Sequence, residues 1–140
     1  MKRSLLALSL CCALAAPFPA QAYLTELKDG ERISVASMVS APVSAAQVRD
    51  ALVNGAAAHG WMLVSETPGR VVLSLMHRGG KHKLEVAAIY SESEYRFEYL
   101  SSDNLKYAQS ADGSRMIDNA YYRWTASITR AAGQILRGER

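Results

Sequence analysis

Three histidines, His59, His77 and His82, are the side chains best suited to act as bases or metal ligands near neutral pH. His77 and His82 flank Gly79-Gly80, a pair suited to a two-residue hairpin turn. Such a turn sets the two imidazoles opposite each other, about 5 Å apart at Cβ. With Arg78, Lys81 and Lys83 around them, they could form a two-histidine metal clip or an anion-binding tip. The cations repel a metal ion, and the sequence offers no third ligand. A solvated basic hairpin end, whose charge discourages edge pairing, is the plainer reading. No metal and no cofactor is expected. His59 reads as the last turn of a helix.

Motifs for catalysis are missing. The chain has no G-x-S-x-G elbow and no H-E-x-x-H, and Leu75 stands where a phosphate loop ending at Gly80-Lys81 needs its first glycine. Glu92, Glu94 and Glu98 fall on a hairpin and a sheet face, where carboxylates stay hydrated. The chain is therefore expected not to be an enzyme. The aromatic side chains Tyr90, Tyr95, Phe97, Tyr99, Tyr107, Tyr121, Tyr122 and Trp124 crowd the C-terminal half. They read mainly as core beneath a long helix. Alternatively, Tyr99, Tyr121 and Trp124 line a helix–sheet cleft open to a small apolar or lipid-like ligand. Nucleic acid is excluded as a partner, because the basic residues are not interleaved with the rings.

These residues must be positioned by a short chain. The 140 residues carry 16 Lys+Arg against 13 Asp+Glu. Residues 1–22 have the plan of a secretory signal peptide: Lys2 and Arg3, an apolar run from Leu5 to Ala16, and Ala20-Gln21-Ala22 at the exit. Cleavage after Ala22 takes Lys2 and Arg3 away, and the remaining 14 basic and 13 acidic side chains give +1. A basic patch for nucleic acid is not implied. Both cysteines, Cys11 and Cys12, lie in the leader, so no disulfide or thiol chemistry is expected in residues 23–140. Leu10 before Cys11 departs from a lipid-attachment signal, so no lipid anchor is expected. No second apolar stretch is long enough to span a bilayer. The expected location is the periplasm.

Residues 23–32 read as a polar lead-in, and residues 33–137 as a single α+β domain of β-α-β-β-β-β-α order. A first strand is expected over Ile33–Ser40. Ser44, with Gln47 three residues on and Val43 and Val48 as a hydrophobic staple, starts a helix that Gly60 closes. Four strands follow: Trp61–Thr67, Arg70–Arg78, Lys81–Tyr90 and Tyr95–Ser101. Ser102–Gly113 reads as a loop. Ile117, Tyr121, Trp124, Ile128, Ala131 and Ile135 form one helical stripe, predicting a helix from about Ser114 to Leu136.

The turns fix the register. Gly79-Gly80 pairs His77 with His82, Leu75 with Leu84, Leu73 with Val86 and Val71 with Ala88. The 91–94 turn pairs Tyr90 with Tyr95, Ala88 with Phe97 and Val86 with Tyr99. All these residues share one face, which both helices should cover. The other face is less consistent. An uninterrupted turn at Pro68-Gly69 puts Trp61, Leu63, Val72 and Met76 outside and Glu66 inside. Either a bulge near Ser65–Pro68 buries Trp61, or the outer face carries an apolar patch of the kind that marks a partner site.

The run Tyr95-Arg96-Phe97-Glu98-Tyr99-Leu100-Ser101-Ser102-Asp103-Asn104-Leu105-Lys106-Tyr107, followed by Tyr121-Tyr122-Arg123-Trp124, resembles a family of short uncharacterised periplasmic proteins and lipoproteins of Gram-negative bacteria. Gly60-Trp61 and Ser65-Glu66-Thr67-Pro68-Gly69 match that family's helix-to-strand passage. The resemblance covers about residues 45–136 and brings no catalytic residues. The element order is also similar to the helix-grip domains of a lipoprotein of the outer-membrane β-barrel assembly machinery. By analogy these resemblances imply a periplasmic binding or scaffolding role with an envelope protein partner. Its candidate surfaces are Trp61 and Met76 on the outer sheet face, or Arg78, Lys81 and Lys83 at the hairpin tip.

Overall fold

The computed structural model describes residues 23–138, and residues 1–22, read above as a signal peptide, lie outside them. The described residues fold as an α+β domain of eight strands and two helices. Five strands form one antiparallel sheet in the order β2 (Ile33–Ser34), β6 (Glu94–Asp103), β5 (His82–Tyr90), β4 (Arg70–His77), β3 (Trp61–Thr67). A smaller sheet has the order β1 (Leu24–Glu26), β8 (Arg115–Asp118), β7 (Ala108–Gln109).

Helix α1 (Ala45–Ala57) begins with the expected capping box: Gln47 N donates to Ser44 Oγ, and Ser44 N donates to Gln47 Oε1. Because α1 links β2 at one edge of the sheet to β3 at the other, it must cross the sheet. It buries Val48, Ala51, Leu52, Gly55 and Ala56. Helix α2 (Ala120–Leu136) lies beside it, and the two backbones nearly touch at Gly55. A Cβ placed there would stand 2.9 Å from Ala132 N and 3.2 Å from Ala131 Cβ. Only a residue without a side chain fits.

The meander matches its expected register, including His77↔His82, Leu73↔Val86, Val71↔Ala88, Ala88↔Phe97 and Tyr90↔Tyr95. Gly79 and Gly80 both have positive φ (66° and 90°), as the tight hairpin turn requires. The inward face buries Val71, Leu73, Leu75, Leu84, Val86, Ala88, Tyr95 and Phe97 against α1 and α2.

Four sequence expectations need correction. Residues 23–32 are not a loose lead-in: β1 pairs with β8, and Leu27 is buried. Two apolar residues, Leu24 and Leu27, suffice to anchor an otherwise polar segment. The first strand is only Ile33–Ser34, because the chain bends at once to bury Val35. The loop 102–113 contains the end of β6 and the short strand β7. The long helix starts at Ala120, not Ser114; Arg115–Asp118 is a strand, and Ile117 reaches the core from it. The 4-residue step from Ile117 to Tyr121 mimicked a helical stripe. Within α2 itself the buried line is Tyr121, Thr125, Ile128, Ala131 and Ala132, while Ile135 is exposed.

Gly55→Ala is expected to destabilise the domain by roughly 1–3 kcal/mol, since backbone must move to admit the methyl. Gly133→Ala should be neutral or stabilising by up to about 1 kcal/mol, because its close neighbour is the end of the flexible Arg137 side chain. Urea unfolding of the two variants distinguishes steric contact from helix propensity.

Candidate functional site

Three regions bear on function: the outer edge of the sheet, the hairpin tip, and a cleft beside α2. At the edge, β3 has a bulge between Leu63 and Ser65. It shifts the register so that Trp61 pairs with Leu75 and points inward, where it is 3% exposed. Burying a side chain of that size is worth about 1.5–3 kcal/mol or more, enough to favour the irregular strand. Trp61 is therefore a core residue and is corrected as a member of the outer surface. Glu66 stays on the helix side, opposite Val71, and its Oε2 accepts from Arg49 Nε and Nη2 at 2.9 and 2.8 Å. A side-chain bond to Asp50, together with these to Glu66, raises the Arg49 pKa.

The outer face keeps an apolar patch in which the expected Met76 is joined by other residues. Met62 is 61% exposed, Val64 53% and Met76 55%; Leu63, expected outside, instead stands opposite the buried Leu73 on the inward side. Met62 opposes Ser74, so Met76 is its diagonal neighbour on the same face. The sequence missed Met62 and Val64 because an unbroken alternation hides the residue that a bulge releases. On the far half of this face, Arg96 Nη1 and Glu98 Oε1 pair at 2.6 Å and keep the surface polar.

The two sheet edges differ. Beyond β2, the edge of β6 is covered by the segment at Asp29 and Gly30. Tyr99 N donates to Asp29 Oδ1 at 2.9 Å, and Gly30 N reaches Phe97 O at 3.5 Å. Asp29 Oδ2 also accepts from Arg115 Nη2 at 2.9 Å, which ties the small sheet to the large one. Among the described residues, no strand pairs with the free side of β3.

At the hairpin tip, Arg78, Lys81 and Lys83 are exposed, and Arg78 has a left-handed φ of 51°. Lys83 opposes Met76 on one side and Asp103 on the other. Asn104 pins the tip: its Nδ2 donates to Lys81 O at 3.2 Å, and its carbonyl lies 2.9 Å from His82 Nδ1. The His77 ring lies between His82 and Trp124, with centroids 6.1 and 5.1 Å away. The rings meet at tilts of 44° and 45°, and among the described residues no group of three or more His, Cys, Asp or Glu could hold a metal ion.

The cleft opens between α2 and the segment Lys28–Ile33, with a volume of about 320 Å³. Its walls are Ile33, Phe97, Tyr121, Ala126 and Thr129, and Lys28 and Glu31 stand at the polar end. Of the expected cleft residues only Tyr121 lines it. Tyr99 stacks on Tyr107 at 4.6 Å and meets Tyr121 edge-on at 6.2 Å. Trp124 lies half-buried over His77, away from the cleft. The sequence missed Lys28 and Glu31 because a polar segment with two apolar anchors looks like a tail, and Ile33 read only as the start of a strand.

Beside this cleft, Tyr95 is 1% exposed and its hydroxyl closes no hydrogen bond of good geometry. Its pKa is raised by burial, and Thr129 offsets this only in part, so the Thr129 hydroxyl approaches without closing a bond of good geometry. Burial is also the main cause of the raised pKa of Tyr99 and, more strongly, of Tyr121, where Asp29 adds to it.

Comparisons of the chain with family models, with curated proteins and with solved structures find no match.

Tyr95→Phe removes an unsatisfied buried hydroxyl and should leave stability unchanged or raise it by up to about 1 kcal/mol, measured by urea unfolding. Raised tyrosine pKa values make the folded state hold protons that the unfolded state releases above about pH 10. The contribution of these groups is intact below that pH and is lost as the pH rises through their elevated folded values. Tyr121→Phe should therefore flatten the fall in urea midpoint between about pH 10 and about pH 12.

Proposed function

We propose that the protein is a non-enzymatic interaction module of the cell envelope, acting in the periplasm. Its binding surface is the free edge of β3 with the adjoining outer face of β4, and its partner is an extended segment of an envelope protein. One observation carries this reading: the apolar side chains Met62, Val64 and Met76 stand exposed along a long strand edge with which no other strand pairs among the described residues. Sheet edges of this kind are normally blunted by charge or by a covering segment, as β6 is here. Added strands gain affinity from main-chain hydrogen bonds and specificity from alternate side chains. Arg78 and Lys81, at the end of the hairpin beyond Met76, favour a carboxylate at the corresponding end of the partner segment. The resemblance of residues 45–136 to small Gram-negative envelope proteins, and the leader-like residues 1–22, support the location.

Position-specific photo-crosslinking in the exported protein tests the surface. A crosslinker at Met62, Val64 or Met76 should give one discrete product that is lost from Val64 when Met62→Lys and Met76→Lys are both introduced. A crosslinker at the exposed Ser101 should give none. Equal trapping at Ser101, or trapping from Val64 that survives both lysines, overturns the assignment.

A further inference from the structure

We infer that the cleft beside α2 binds a zwitterionic single-chain amphiphile, with its apolar chain between the helix and the sheet and its head group at Lys28 and Glu31. This site is separate from the β3 edge and independent of the function proposed there. Three observations lead to it.

The first is size and lining. About 320 Å³ lies within the usual range of ligand pockets, and its walls are the rings of Phe97 and Tyr121 with Ile33 and the Ala126–Thr129 turn of α2. An apolar chain entering it leaves water on one side and meets aromatic and aliphatic carbon on the others.

The second is the unsatisfied polar group next to it. A hydroxyl that is buried and unpaired is rare in folded proteins and calls for an explanation. The Tyr95 hydroxyl is such a group; it is directed at Thr129, and Thr129 is part of the cleft wall. Tyr95 also packs edge-on against Phe97, with ring centroids 5.7 Å apart. A ligand that presses on Phe97 and Thr129 touches two residues that adjoin Tyr95.

The third is charge. Lys28 and Glu31 lie on the same short segment and both face the cleft opening. Lys28 meets Glu26 only at 3.5 Å, with both side chains largely exposed, a weak pair that leaves the ammonium free to exchange partners. Among the described residues Glu31 has no ion-pair partner. One cation and one anion at the same opening offer no net charge to a simple anionic or cationic head, whereas a head carrying a phosphate and an ammonium can pair with both. Tyr122, whose hydroxyl donates to Glu26 O and accepts from Lys28 N, fixes the segment against α2.

The test uses purified protein and lauroyl lysophosphatidylethanolamine below its micellar concentration, followed by calorimetry and native mass spectrometry. Lauric acid and dodecanol serve as head-group comparators. Saturable one-to-one binding of the lysophospholipid is expected, at least about fivefold tighter than either comparator. Ala126→Trp, an exposed position on the cleft wall, should abolish it. Glu31→Lys, fully on the surface, should weaken the lysophospholipid and strengthen lauric acid, so that their order reverses. Circular dichroism verifies that each variant is folded, and the Glu31 variant decides the matter if the tryptophan disturbs the helix. Absence of saturable binding, or binding unchanged in Ala126→Trp, overturns the site. Equal affinity for lauric acid in the unmodified protein overturns the head-group assignment.

Discussion

The close approach of α1 and α2 at Gly55 is the constraint on which the architecture depends. Helix α1 must cross the whole sheet because it joins its two edges, and α2 must still find room on the same face. Both fit only because Gly55 places backbone against the backbone of Ala131 and Ala132. With α1 held tightly against it, α2 covers the meander with Tyr121, Ile128 and Ala132 and leaves its other flank to the segment 28–33. The cleft is what remains between that flank and the sheet. A looser helix pair would push α2 outward and close it.

The N-terminal segment completes this arrangement. Asp29 joins β6 to the small sheet through Tyr99 N and Arg115, and in doing so covers an edge that would otherwise be open. Edge protection is thus unequal. One side of the large sheet is closed by the chain itself, while β3 presents methionine and valine to solvent. The bulge at Leu63/Ser65 links the core to this surface: by turning Trp61 inward it leaves Met62 and Val64 outside. A single local irregularity both completes the core and creates the patch.

Much of the fold was legible because its local signals agree. The capping box at Ser44–Gln47, the Gly79-Gly80 turn and the 91–94 turn each determine geometry within a few residues, and period-two alternation carries the register outward from them. What failed depends on distant partners. Strand β8 exists because β1 and β7 pair with it on either side, and none of the three has enough apolar residues to declare itself alone. The candidate surfaces were partly legible for the same reason. Met76, Lys81 and Lys83 follow from the hairpin, whereas Met62 and Val64 follow from the bulge, and Lys28, Glu31 and Ile33 follow from docking of a segment with no periodicity.

The inequality of the two sheet edges is the central claim, and residue-resolved hydrogen exchange of the purified protein at low concentration measures it directly. The Tyr99 amide, held by Asp29, should be protected to nearly the same extent as the amides within β4 and β5, while the amides on the free side of β3 exchange on the timescale of exposed loops. Protection of β3 matching that of β4, with rapid exchange at Tyr99, would contradict the account.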